Sequence, residues 1–308
     1  MIDGSIGWWS VPLAVLGGAV RVSTPFLFVS LGECITEKSG RINLGLEGTL
    51  VMGTMSGYGV SYLSGSPWLG VLAAGIVGAV MGLVHGWICS LQRVNDIAVG
   101  IELMLFGVGL ADYLGKPLIQ PAAPQLPSIE LGWWSHSSQL QEALKINALF
   151  LIGAALAPLL LWAFRATRWG LVLRIVGEST DAARALGYPV IAVRVIATAL
   201  GGFLAGIGGS FLSLYYPGAW SERISSGQGI TAVALVIFAR WNPRLCFYAS
   251  LLFGGAGALG PSLQSVGVHA GYYLLNAAPY ILTLLIMIAT CSPRRSLAGA
   301  PAELSITR

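Results

Sequence analysis

VIAVRVIATALGGFLAGIGGSFLSLY, residues 190–215, has one charged side chain, Arg194, in 26 positions. A bilayer core of about 30 Å requires roughly 20 apolar residues in a helix, because lipid satisfies no backbone polar group. The stretch is therefore expected to span a membrane. Working outward from it, comparable stretches occupy residues 11–31, 46–63, 68–91, 97–114, 147–164, 227–240 and 246–266, with a ninth at 277–291. Nine crossings leave no length for a soluble domain, so residues 1–308 read as one all-α transmembrane domain, a polytopic helical bundle. Composition agrees: 55% of the chain is hydrophobic and 10% charged, against about 25% charged in soluble proteins.

Alternating the crossings from an external N-terminus puts thirteen Lys and Arg residues, from Lys38 to Arg308, on one side and three, Lys116, Lys145 and Arg223, on the other. Arg21 falls inside the first crossing. Positive charge concentrates on the cytoplasmic side, so the C-terminus is expected there. The net charge of +4 thus reports topology, and no nucleic-acid partner is expected. The first ten residues carry Asp3, Trp8 and Trp9 but no Lys or Arg, which reads as mature chain rather than a signal peptide.

Several motifs resemble chemistry without its context. Gly255, Gly257 and Gly260 spell GxGxxG inside an apolar stretch that follows no strand, so they read as helix-packing positions. Gly78, Gly82 and Gly86, and Gly202 and Gly206, have the same GxxxG spacing. Gly115–Lys116 lacks the Ser or Thr of a phosphate loop, since Pro117 follows. His85, His136 and His269 are scattered, with no HExxH and no GxSxG. Cys34, Cys89, Cys246 and Cys291 fall at cytoplasmic helix ends without CxxC spacing and read as packing residues. No catalytic residue, metal or cofactor is expected in this chain.

Two loops are long. The external loop 115–146 holds Pro117, Pro121, Pro124 and Pro127 and the pair Trp133–Trp134, and reads either as an ordered cap that receives a soluble partner or as a connector. The internal loop 165–194 contains a helix signature. Ser179 or Thr180 can cap a short helix over residues 181–186, Glu178 and Asp181 suit its positive end, and Gly187 and Pro189 stop it. A capped surface helix on a protein without a cytoplasmic domain suggests that something docks there.

Ionisable groups in a span mark a pathway, an ion pair or a water cavity. Glu33 and Glu47 lie near the cytoplasmic end and read first as structural, and Glu102 as the pathway candidate. Ser39 to Thr49 leads into a helix running outward, and Ser225 to Thr231 into a shorter one running inward. Both are glycine-interrupted and carry a polar amide, the pattern of an inverted repeat with solute contacts near the breaks.

Three runs carry a family likeness: GECITEKSGRINLGLEGTLVMG (32–53), GLVLRIVGESTDAARALGYPV (170–190) and GQGITAVALVIFARWNP (227–243). In this order they resemble permeases of the branched-chain amino acid, ribose and nucleoside group of ABC importers, closest to the shorter permease of the nucleoside and simple-sugar branch. The resemblance implies a type II ABC importer permease fold in a bacterial cytoplasmic membrane. It further implies a second related permease, ATP-hydrolysing subunits that are separate or a fused tandem, and a periplasmic or lipid-anchored solute-binding protein. It places the solute path at Asn43, Gly45, Glu47, Gly48, Gln228 and Thr231, to which the span reading adds Glu102. It places the ATPase contact at Glu178, Ser179, Thr180, Asp181, Ala182, Ala183, Ala185, Leu186 and Gly187. Cys34 and Thr49 stand where an aliphatic residue or Met is expected, a departure that bears on the solute. The rival reading is an ion-coupled secondary transporter or channel for a small polar solute, working through Glu102 or Glu47.

Overall fold

The structure, a computed structural model, describes residues 10–91, 93–134, 138–264, 277–290 and 299–306. Thirteen helices are described: α1 (Ser10–Lys38), α2 (Leu46–Ser64), α3 (Pro67–Ile88), α4 (Asp96–Gly115), α5 (Ser138–Ala143), α6 (Ala148–Ala166), α7 (Arg168–Glu178), α8 (Thr180–Ala185), α9 (Val190–Leu214), α10 (Gln228–Phe238), α11 (Pro243–Gln264), α12 (Ala278–Thr290) and α13 (Glu303–Ile306). Two short strands, β1 (Ser128–Glu130) and β2 (Lys145–Asn147), pair antiparallel with Ser128 opposite Asn147. Among the described residues six helices, α1, α3, α4, α6, α9 and α11, are long and apolar enough to cross a membrane.

The expected crossings differ from these in instructive ways. Helix α10 has only 11 residues, about 16 Å at 1.5 Å per residue, roughly half a bilayer core. Residues 227–240 are thus a half-span, and irregular backbone leads into it. Helix α2 is long enough but too polar to be counted by hydropathy. Of its 19 residues 14 are buried, so protein rather than lipid is its solvent. Helix α1 runs seven residues past the expected Leu31, because its last turns, including Glu33 and Glu37, are enclosed by protein. The ninth stretch appears as α12, and its expected end at Cys291 lies outside the described residues, as do His136 and His269.

Glycine seams set the centre of the bundle. Gly78 and Gly82 of α3 lie against Gly202, Gly206 and Thr198 of α9, while on the other side Gly53 of α2 faces Gly206, where an added Cβ would come within 2.6 Å of the Gly206 Cα. A side chain at Gly206 would meet the Ala74 carbonyl and Gly78 of α3. In α11, Gly255 faces Ala19 and Gly257 meets Val22, both of α1, so these glycines of the GxGxxG run serve helix packing, as does the neighbouring Gly254 against Ser23. Polar bonds reinforce these seams: Thr54 Oγ1 donates to the Gly209 carbonyl at 3.0 Å and Ser213 Oγ to the Thr54 carbonyl at 2.7 Å.

The two ends of the bundle are closed differently. At one, residues 116–134 and 138–147 form a cover in which Ala123 and Leu126 are buried, and the Leu126 N–H donates to the α9 carbonyl of Leu214 at 2.8 Å. Trp133 and Trp134 stand out of it, 82% and 62% exposed. The other, basic end holds Lys38, Arg41, Arg194, α7, α8 and α13. Cys34, Cys89 and Cys246 are buried free thiols.

Candidate functional site

Residues 39–45 do not simply join α1 to α2 at the surface. They fold back beside the last turns of α1. The Asn43 N–H donates to Glu33 Oε1 at 2.8 Å, and Glu33 lies five residues before the end of α1, about 7.5 Å along its axis. Asn43 in turn accepts the Gly45 N–H on Oδ1 at 2.9 Å, an Asx turn that sets up the first turn of α2. A His85 ring nitrogen lies 3.1 Å from the Ile42 carbonyl, Arg194 Nε donates to the Ser39 carbonyl at 3.0 Å, and Arg41 pairs with Asp96 at 2.5 Å. Every one of these bonds fixes irregular backbone inside the bundle, where it is tolerated only against protein or a polar cavity.

The loop delivers Glu47 to the start of α10. Its Oε1 accepts Ser225 Oγ at 2.5 Å and the Gly227 N–H at 3.0 Å, and its Oε2 accepts the Gly229 N–H at 2.6 Å. Ser226 and Gly227 adopt left-handed backbone, φ 48° and 84°, which turns the free N–H groups of α10 toward the carboxylate. A carboxylate there satisfies orphan donors and meets the positive end of the helix. The approach requires glycine, since a Cβ at Gly229 would lie 2.6 Å from the Glu47 Cα. On the far side Gly48 packs as tightly on α4, at the Leu103 carbonyl, and Gly45 packs on Gly100.

The two glycine-interrupted segments therefore meet. Gln228 lies between two amides that Glu47 binds, and it lines a cavity of about 150 Å³ together with Thr231, Ser226, Phe26, Phe253 and Tyr280. Thr231 Oγ1 donates to the Gly227 carbonyl at 2.9 Å. Gln228 also faces a smaller cavity lined by Arg21 and Tyr216. Gln228 Oε1 and Asn43 Nδ2 find no hydrogen-bond partner among the described residues. The cavity wall offers aromatic faces and the uncommitted amide oxygen of Gln228, which suit a neutral polar solute with a flat or ring-shaped body. Among the described residues no three of His, Cys, Asp and Glu converge as a metal site.

Glu102 is not part of this assembly. It is exposed on the outer face of α4, while Gly45 and Gly48 pack on the face that bears Gly100 and Gly107. At the basic end the sequence signature forms as a capped helix: Ser179 Oγ accepts the Ala182 N–H at 3.2 Å, Thr180 opens α8, and Gly187 leaves it at φ 81°. Asp181, Ala182, Ala185, Leu186 and Gly187 are exposed, Leu186 at 63%, and Ala183 is buried against Val176 and Val190. Glu178 and Ser179 border a groove of about 370 Å³ with Leu171, Arg174 and Ile175.

Three participants escaped the sequence reading. Ser225 was seen only as part of a segment start, Trp241, whose indole donates to Glu37, only as part of the run 227–243, and Glu303 is 109 residues from Arg194. Arg194 alone had a signal, an arginine within an apolar run.

The family model described as "Branched-chain amino acid transport system / permease component" matches residues 15–291. A putative glucose ABC transporter permease protein of Haloferax volcanii is 31% identical over 264 residues, 84% of this chain and 80% of that protein. A nucleoside ABC transporter permease protein of Lactococcus lactis subsp. cremoris is 29% identical over 89% of this chain and 90% of its own length. A guanosine ABC transporter permease protein of Bacillus subtilis is 28% identical over 86% of this chain and 88% of its own length.

Proposed function

The chain belongs to the family of branched-chain amino acid transport system permease components, and from that premise we propose that it forms half of the translocation pathway of an ATP-driven importer for a nucleoside or a simple sugar. The observation that carries the reading is the junction at Glu47, where a re-entrant loop and a half-length helix meet beside a cavity of aromatic and amide groups. Such breaks give a solute polar contacts at depth and allow two packings of the same helices, which alternating access requires. The relatives named for nucleosides, guanosine and glucose support the solute class.

In this reading Asn43, Gly45, Glu47, Gly48, Gln228 and Thr231 shape the path, Gln228 and Thr231 by contact and the others by holding the break in place. Glu102 faces the second, related permease across the pathway. The exposed residues of α8 enter a groove of the ATPase subunit, so ATP is hydrolysed by partners and this chain performs no covalent chemistry. The basic end faces the cytoplasm of a bacterial cell, consistent with its excess of Lys and Arg, and the cover that holds Ala123 and Leu126 faces a solute-binding protein.

The test is competitive uptake of labelled adenosine and guanosine against labelled ribose and glucose, in cells with and without the gene. Uptake of one class should depend on the gene and fall in Gln228→Ala. If neither class depends on it, the solute assignment is wrong.

A further inference from the structure

Residues 299–306 return to the basic end and touch the ends of five helices. Lys38 Nζ, at the end of α1, donates to the Gly299 carbonyl at 3.1 Å. Gly299 lies against the Arg240 carbonyl just beyond α10, and Pro301 lies beside Gly177 near the end of α7. Glu303 then uses both carboxylate oxygens. Oε1 accepts the Thr180 N–H, the first residue of α8, at 2.7 Å, and Oε2 accepts Arg194 Nη2 of α9 at 3.2 Å. The same guanidinium reaches Thr180 Oγ1 at 3.0 Å through Nη2 and the Ser39 carbonyl at 3.0 Å through Nε. Arg194 and Glu303 side chains are only 10% and 13% exposed.

This arrangement has more in it than a tail packed on a surface needs. Helix α8 has six residues and a single buried one, Ala183, so it has little apolar grip on the bundle. Its firmest ties are charge-assisted, and they lead through Arg194 to Ser39, the first residue of the loop that positions Asn43 and Glu47. Chains of packed and charge-paired groups with discrete arrangements are what carry coupling between sites. Glycine at position 40 fits the same design, since an added Cβ would lie 2.8 Å from the Glu303 Cβ.

We propose that Glu303 and the segment 299–306 form a transmission clasp, Glu303 acting as a positioning residue that passes displacement of the docking helix α8 through Arg194 to the loop carrying Glu47. The inference rests on the reading of α8 as the ATPase contact. It extends that reading by assigning the C-terminal segment a part in energy coupling. In the absence of Glu303, α8 moves without pulling the loop, and ATP is hydrolysed without solute moving.

The experiment measures solute taken up per ATP hydrolysed by the assembled transporter in proteoliposomes, with labelled adenosine and labelled ribose as probes. The variants are Glu303→Gln, Glu303→Asp and Asp181→Arg. Glu303→Gln should lower the ratio by on the order of tenfold with ATP hydrolysis retained, and Glu303→Asp should restore most of it. A wild-type ratio in Glu303→Gln overturns the proposal. So does failure of Glu303→Gln to assemble, because a near-isosteric change that abolishes assembly marks a folding brace. If Asp181→Arg uncouples while Glu303→Gln does not, only the clasp is wrong. If both keep the wild-type ratio, the docking reading of α8 falls with it.

Discussion

At the covered end of the bundle, Tyr58 and Ser61 donate to the carbonyls of Pro121 and Pro124, both at 2.8 Å, and Trp220 Nε1 donates to the Gly115 carbonyl at 2.9 Å. At the basic end the corresponding fastenings are Arg41 to Asp96 and Arg194 to Glu303. The first set is neutral and the second charged. Neutral bonds contribute about 1 kcal/mol each and do not respond to pH or to a neighbouring charge. A largely buried ion pair adds little net stability but is costly to leave half-made, so an approaching partner or a lost proton shifts it strongly. The cover is thus suited to a fixed shape, whereas the basic end is suited to switching, which is where an energy source would act.

Breaking one member of each set tests this contrast. Arg41→Ala leaves Asp96 buried without its partner and should cost the most, about 3–5 kcal/mol, read as a lowered unfolding temperature in detergent. At the covered end Tyr58→Phe removes both the bond to the Pro121 carbonyl and the acceptor for the Ala123 N–H, 3.2 Å away. Its expected cost is about 1–3 kcal/mol, since a buried donor is left unmet. Trp220→Phe should cost about 1 kcal/mol through the same assay.

Acid sharpens the comparison. Burial pushes the Glu303 carboxyl upward, but the Thr180 N–H and hydroxyl and the Arg194 charge outweigh it, and the net shift is below the ordinary carboxylate value. A depressed value in the folded protein means that this stabilisation is complete above the unfolded value of about 4.3 and is lost as pH falls through the folded one. Thermal stability should therefore fall on acidification through that range, less so in Glu303→Gln, while the loss from Trp220→Phe stays constant with pH. The smallest effect concerns Cys89, at the end of α3. Its free thiol is buried, so maleimide should label it at neutral pH only after unfolding.

Much of this was legible in the chain. The runs that became α3, α4, α6, α9 and α11 could be read because apolar length is a property of consecutive residues. The pairing of Gly78 with Gly202 was foreshadowed by GxxxG spacing in each helix, though not which helices would meet. Ser179 as the cap of α8 and Gly187 as its stop depend on bonds spanning three or four residues. Asn43 and Glu47 drew attention through family likeness and embedded charge, and Glu47 read first as structural, but nothing local named Ser225, Gly227 and Gly229 as the groups that hold it. Glu102, the favoured candidate on cost of burial, stands apart because cost alone does not say which side of a helix the partners occupy.

The sequence by itself determined that the chain spans a membrane many times, which segments are helical, and that a capped helix projects among the basic loops, since each follows from hydropathy or hydrogen bonds within a turn or two. Only the tertiary structure decided that α10 stops at half-length, that Glu47 closes its N-terminus from 182 residues away at Gly229, and that Glu303 returns to Arg194. These depend on where whole helices lie relative to one another. That placement comes from the packing of glycine seams and the enclosure of polar groups by protein, to which no local stretch of residues refers.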